Sequence, residues 1–249
     1  MKLRICTAVI ALLIGATAGA AEPGHEWTYS GPTGPEHWAD QSPDVATCGI
    51  GQHQSPIDIE KTEKAALPPI EFHYQPAPLT VIDTGHSVHV NYAPGSTITI
   101  AGETYTLVQF HFHKPSEEKV HDRPFAMVAH LVHKNAKGEL AVVAVELKPG
   151  KPNPVLQAVL GNVPHEKGKE TTVAGRTINV ANLIPAGHGY YTFPGSLTTL
   201  PCSEDVTWFV LKTPVEVSAA EIAKFGKHYA HNARPVQPLN DRVVRETLD

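Results

Sequence analysis

The sequence predicts a mainly β, α+β domain built from strands with a few short helices. Three observations carry this. Ten short runs rich in β-branched and aromatic residues follow one another between residues 57 and 213. The 22 prolines and 19 glycines are scattered and break the chain into short segments. The clearest helical pattern is confined to 218–230. No internal repeat, low-complexity tract or composition shift marks a linker, so the 249 residues read as one large domain behind an export signal.

That signal is residues 1–20. Lys2 and Arg4 precede an apolar run from Ile5 to Ile14, and Ala18-Gly19-Ala20 is a small-residue cleavage site. The apolar part is too short to span a membrane, and no later stretch is long and apolar enough to do so. The mature domain is therefore expected over 21–249, periplasmic or secreted, with cleavage near Ala20. It carries 18 basic and 25 acidic residues, a formal net charge of −7, with no basic stripe, which disfavours nucleic-acid binding. Cys6 leaves with the signal. The remaining pair, Cys48 and Cys202, is most simply a disulfide in an oxidising compartment. Closing so long a loop is worth about 5 kcal/mol in the chain-entropy model.

Residues 21–56 read as an irregular arm anchored by Trp27, Tyr29 and Trp38. Strands are expected at 57–60, 70–74, 79–83, 87–93, 97–101, 104–113, 125–133, 140–148, 190–193 and 206–213. A short helix is expected at 154–160. The longer one opens on Ser218-Ala219-Ala220-Glu221, a capping-box pattern, with Ile222, Phe225 and Tyr229 as its apolar stripe.

The segment 109–133, QFHFHKPSEEKVHDRPFAMVAHLVH, concentrates the chemistry. His111 and His113 are two apart in a strand-like run, so both imidazoles share one face. His130 and His133 are three apart on the next run and face opposite sides, so only one can join the first pair. Three neutral imidazoles from neighbouring strands suit Zn²⁺ with a fourth position left open. The same spacing also suits half-buried structural histidines. If Lys134 and Leu140 close a hairpin over NAKGE, Val132 lies opposite Val142 and Val128 opposite Glu146, the only charge in LAVVAVEL.

QFHFH, Ser116-Glu117, AHLVH, GSLTT at 195–199 and VTW at 206–208, in that order, resemble the α-class carbonic anhydrases from about Trp27 to about Arg242. The resemblance implies a large, mostly antiparallel, twisted sheet with short peripheral helices. It implies reversible hydration of carbon dioxide to bicarbonate and a proton by zinc-hydroxide attack, with His111, His113 and His130 as ligands and His133 structural. Thr198 would accept a hydrogen bond from the hydroxide and donate its own proton to Glu117, while Thr199 contacts substrate or water. Val132, Val142, Leu197, Val206 and Trp208 would line the carbon dioxide pocket. His86 falls at the proton-shuttle position, Tyr29 in the proton-conducting network, Thr84 where asparagine is common, and His89 near a second polar site. Bacterial members often carry cysteines at the places of Cys48 and Cys202.

Gln109 would hold His111, and the backbone near Asn232 would hold His113. The family commonly places a glutamate two residues before the third ligand, and here that residue is Val128. Glu146 is the expected replacement, bonding His130 from the adjacent strand; in another register it would point to solvent. Glu118 stands where histidine is frequent and adds a charge without an assigned partner. Three other readings compete: a cupin, in which Glu117 would be a ligand; a non-catalytic zinc-binding relative; and a zinc store, although the 15 histidines form no tract. Partners are expected to be small molecules only, on a monomer or homodimer with no membrane contact.

Overall fold

β-rich sequence becomes one continuous surface. The computed structural model describes residues 26–248, and the export signal read at 1–20 lies outside the described residues. The principal strands are β1 (Ala77–Asp83), β2 (Val88–Asn91), β3 (Thr97–Ile100), β4 (Glu103–His113), β5 (Met127–Asn135), β6 (Leu140–Pro149), β7 (Glu170–Ile178), β8 (Tyr190–Gly195) and β9 (Val206–Val217). They lie in the order β7-β1-β2-β4-β5-β6-β9-β8, continued by Arg245–Glu246 and Glu63–Lys64, while β3 joins β4 to Glu71–His73. Neighbours pair antiparallel except β6 with β9, and Arg245–Glu246 with Glu63–Lys64, which are parallel. The large, mostly antiparallel sheet is the expected one.

Alternation places the chemistry on one face. Phe110 and Phe112 of β4, with Ala129 and Leu131 of β5, enter the main core. Burying each phenyl ring stabilises the fold by about 1.5–3 kcal/mol, which fixes the strand's orientation. The intervening His111, His113 and His130 then point to the opposite face. There Val128, Val132, Val142, Ala144 and Trp208 form a second cluster. A third, of Trp27, Trp38, Val45, Cys48, Leu200 and Cys202, ties the N-terminal arm to the loop after β8. The Cys48–Cys202 disulfide is present.

Helix α1 (Pro154–Leu160) has the expected bounds, and Asn153 caps it by accepting from the N–H groups of Val155 and Leu156. Helix α2 (Ala219–His228) ends two residues short of the expected 230, and its Ser218/Glu221 capping box is formed. Strand β7 was not anticipated. It is an exposed edge strand whose register shifts between Thr172 and Thr177, with Gly175 at φ 66°, so no alternating pattern survives.

Candidate metal centre

Three adjacent strands deliver the imidazoles. His111 on β4 pairs with His89 on β2 and with His130 on β5, so three histidines stand side by side across the sheet. Among the described residues, His111, His113 and His130 form a cluster suited to a metal, their ligand atoms within 4.8 Å of one another.

The remaining ring nitrogens decide which atoms face inward. His111 Nδ1 pairs with Gln109 Oε1 at 2.9 Å, and His113 Nδ1 donates to the Asn232 carbonyl at 2.7 Å. His130 Nε2 pairs with Glu118 Oε2 at 3.1 Å. Nε2 of His111 and His113 and Nδ1 of His130 are thus left for an ion, and His113 Nε2 is buried without a hydrogen-bond partner among the described residues. The donor set and that buried nitrogen fit Zn²⁺. Burial holds His111 and His113 well below the usual histidine range, in the neutral form a ligand needs. Burial also acts to lower His130, but the Glu118 and Glu117 carboxylates outweigh it and leave the ring raised.

Asn232 serves beyond its carbonyl. Its side chain accepts from Lys114 N–H and donates to the carbonyls of Phe112 and His86, clamping the end of β4. His133 faces away, as expected, and its Nε2 meets the Tyr74 hydroxyl at 2.9 Å.

The expectation for Glu146 is corrected. The register is as predicted, with Lys134 opposite Leu140, Val132 opposite Val142 and Val128 opposite Glu146. Yet neither Glu146 oxygen hydrogen-bonds His130, and Glu118 occupies the free side of the His130 ring. The strand partner of His130 is Ala144, so Glu146 stands two residues farther along β6, about 6–7 Å in strand rise. Glu118 reaches the ring from the loop after β4. Its only sequence signal was an additional charge beside Glu117 with no assigned partner.

Glu117 lies on the other side of the His130 ring, its Oε2 3.8 Å from Nδ1 and 3.4 Å from His113 Nε2. Burial raises its carboxyl to about 8, while the His130 charge, the Arg234 N–H and the Thr198 hydroxyl all favour the ionised form. The Arg234 N–H donates to Oε1 at 2.7 Å, a contact the sequence did not reveal. Tyr29 is close enough that the Glu117 charge, after burial, raises its phenol well above the usual range.

Thr198 is buried in a loop fixed from several sides. Ser55 and Ser196 exchange backbone and hydroxyl hydrogen bonds at 2.9 and 3.1 Å, and Leu197 N–H donates to the Ser203 carbonyl. Cys202 N–H donates to the Thr199 carbonyl at 2.8 Å, so the disulfide holds the same loop. A Cβ on Gly195 would lie 2.7 Å from the Trp208 ring, so that close approach requires glycine. Trp208 in turn meets His130 edge-on at 4.9 Å. Val132, Val142, Val206 and Trp208 pack in the second cluster with Leu197 against it, so the five expected pocket residues lie together.

His86 stacks on Trp27 with ring centroids 3.6 Å apart, its Nε2 donating to the Trp27 carbonyl at 2.8 Å. Thr84 is consumed by its own turn, donating to the Ser87 carbonyl and accepting from the N–H groups of His86 and Ser87. His89 stacks against His111 at 4.5 Å.

The family model for eukaryotic-type carbonic anhydrases matches residues 33–248. The chain belongs to this family. It is 43% identical over 227 residues to a carbonic anhydrase of Nostoc sp., covering 89% of this chain and 86% of that protein. It is 45% identical over 223 residues to one from Klebsiella pneumoniae, covering 88% and 90%. A solved α-carbonic anhydrase from Thermovibrio ammonificans, in complex with the inhibitor sulfanilamide, superposes with a TM-score of 0.85 at 42% identity, covering 89% of this chain and 99% of that one. The chain is accordingly a carbonic anhydrase-type enzyme, and the cupin reading falls: its core is an open sheet with ordered edges, not a small closed barrel.

Proposed function

We propose that this protein is an exported, zinc-dependent enzyme that reversibly hydrates carbon dioxide to bicarbonate and a proton. The observation that carries the reading is the set of three buried imidazoles whose outward nitrogens are each engaged, leaving three inward nitrogens for one ion. Zn²⁺ bound by three histidines is known, in this same family, to lower the pKa of its water to about 7 and so supply a nucleophile at neutral pH.

The chain's own residues do the rest. On this reading Glu117, whose Oε1 is held by the Arg234 N–H, accepts a hydrogen bond from the Thr198 hydroxyl, which is near enough to favour its ionised form. A threonine committed to donating has only lone pairs to offer the metal side, which orients the nucleophile towards the pocket. Val132, Val142, Leu197, Val206 and Trp208 give that pocket apolar walls suited to an uncharged substrate that hydrogen-bonds weakly. Thr199 borders it. His86, whose Nε2 donates to the Trp27 carbonyl, is the residue that would take up the proton and release it to solvent. Tyr29 lines the route with its buried hydroxyl. The disulfide suits an oxidising, periplasmic or extracellular setting.

The test is the initial rate of carbon dioxide hydration by stopped flow, on protein as isolated, after chelation, and after zinc is restored. A rate far above buffer that vanishes and returns with zinc is expected. One tightly bound zinc per chain without hydration would instead establish a non-catalytic relative.

A further inference from the structure

The turn that carries His86 is tied down from outside. It links β1 to β2, and Gly85 within it stands at φ 86°, in the left-handed region that glycine adopts freely. After Gly85, the His86 carbonyl accepts from the Asn232 side-chain amide at 3.0 Å, and the Ser87 hydroxyl donates to the Phe112 carbonyl at 2.6 Å. Before it, the Asp83 carbonyl accepts from Gly168 N–H at 2.7 Å.

Asp83 ends β1 with a buried carboxyl group, the residue being 6% exposed. Its Oδ1 accepts from Gly85 N–H at 2.9 Å and from the Tyr229 hydroxyl. The first bond is local, an aspartate folding over its own turn. The second comes from the residue that closes α2.

Tyr229 is itself held. Its N–H donates to the Phe225 carbonyl at 2.9 Å, and its ring packs on the fully buried Phe225 ring with centroids 6.0 Å apart. Phe225 meets Phe112, which lies between His111 and His113 on β4. A continuous line of packing and hydrogen bonds therefore runs from the middle of the sheet through Phe225, Tyr229 and Asp83 to the turn of His86. Charge follows the same line. Burial lowers His86 from the ordinary histidine value, and the Asp83 carboxylate is close enough to act against that.

We propose that the Tyr229 hydroxyl, acting through Asp83, positions the His86 turn for proton release. Tyr229 and Asp83 are positioning residues, since they act on the reaction through His86. A buried carboxylate needs donors, and Asp83 gathers two of them on one oxygen, so removing the phenol loosens the turn. Proton relay depends on hops of about 2.6–3.2 Å between heavy atoms, and a turn displaced by about 1 Å interrupts them.

The inference rests on the reading of His86 as the group that carries the proton out, and its test separates the two. The proton leaves only after the product anion has gone, so its departure enters kcat but not kcat/KM. Tyr229→Phe keeps the ring packing and removes one hydroxyl. In dilute buffer its kcat for carbon dioxide hydration, read by stopped flow, should fall at least about threefold, with recovery on adding free imidazole. Its kcat/KM should stay within about twofold of the parent. In a His86→Ala background the same change should lower kcat no further, because residues acting as one unit do not add. An unchanged kcat in Tyr229→Phe would overturn the proposal. So would a parallel fall in kcat/KM, or a further loss in the double variant, either of which marks a general structural role. Parent-like kcat in His86→Ala would overturn the reading of His86 and this proposal with it.

Discussion

Glu117 is the residue whose role the geometry makes most open to measurement. Its Oε2 lies 3.4 Å from His113 Nε2, near enough to raise the question of a fourth protein ligand. Its Oε1 is held by the Arg234 N–H at 2.7 Å, and the cluster suited to a metal contains the three histidines without it. In Glu117→Gln the amide oxygen keeps the Arg234 bond, so the amide nitrogen takes the place of Oε2. Thr198, which donates to the carboxylate on the proposed reading, must then accept instead, and it turns its hydrogen towards the open coordination position. Losing one oriented hydrogen bond of this kind costs about 10²–10³ in kcat, or about 2.7–4 kcal/mol. Zinc affinity should stay within about tenfold of the parent, the mild end of effects from residues behind a ligand. Stopped-flow hydration and zinc competition on the same preparations separate the two effects. A variant that surrenders its zinc to a chelator that leaves the parent loaded would refute the reasoning and make Glu117 a ligand.

Replacing His86 with alanine should lower kcat in dilute buffer by at least about tenfold, with recovery on adding free imidazole; an unchanged rate would assign proton release elsewhere. Converting Cys48 and Cys202 together to serine should lower unfolding stability by about 2–5 kcal/mol, read from urea midpoints, because the crosslink restrains a loop spanning 154 positions. His133 is buried and lowered to about 4 by that burial. The unfolded chain, titrating near 6.5, therefore takes the proton first as pH falls. Stability is complete above about pH 6.5 and should decline by about 3 kcal/mol on the way to pH 4. His133→Gln should lack this contribution, and acid limbs parallel to the parent's would contradict it.

Much of the site was legible because strand geometry is periodic. The two-residue spacing of His111 and His113, with phenylalanines between them, determined by itself that both rings share a face. The three-residue spacing of His130 and His133 determined that one ring must leave it. The NAKGE loop determined a register in which Val128 meets Glu146, and the strands pair that way. The capping pattern at Ser218 likewise needed nothing beyond local hydrogen bonding. Strand β7 was hidden because an exposed, bulged edge has no buried face to impose alternation.

What only the tertiary structure decided was which distant groups meet. Register places Glu146 on the correct face and opposite the correct residue, but it does not say how a loop carboxylate folds back. Glu118 reaches His130 first, and Arg234, more than a hundred positions away in the chain, supplies the N–H that holds Glu117. Such contacts depend on where loops return over the sheet, a matter of long-range packing that no short sequence period encodes.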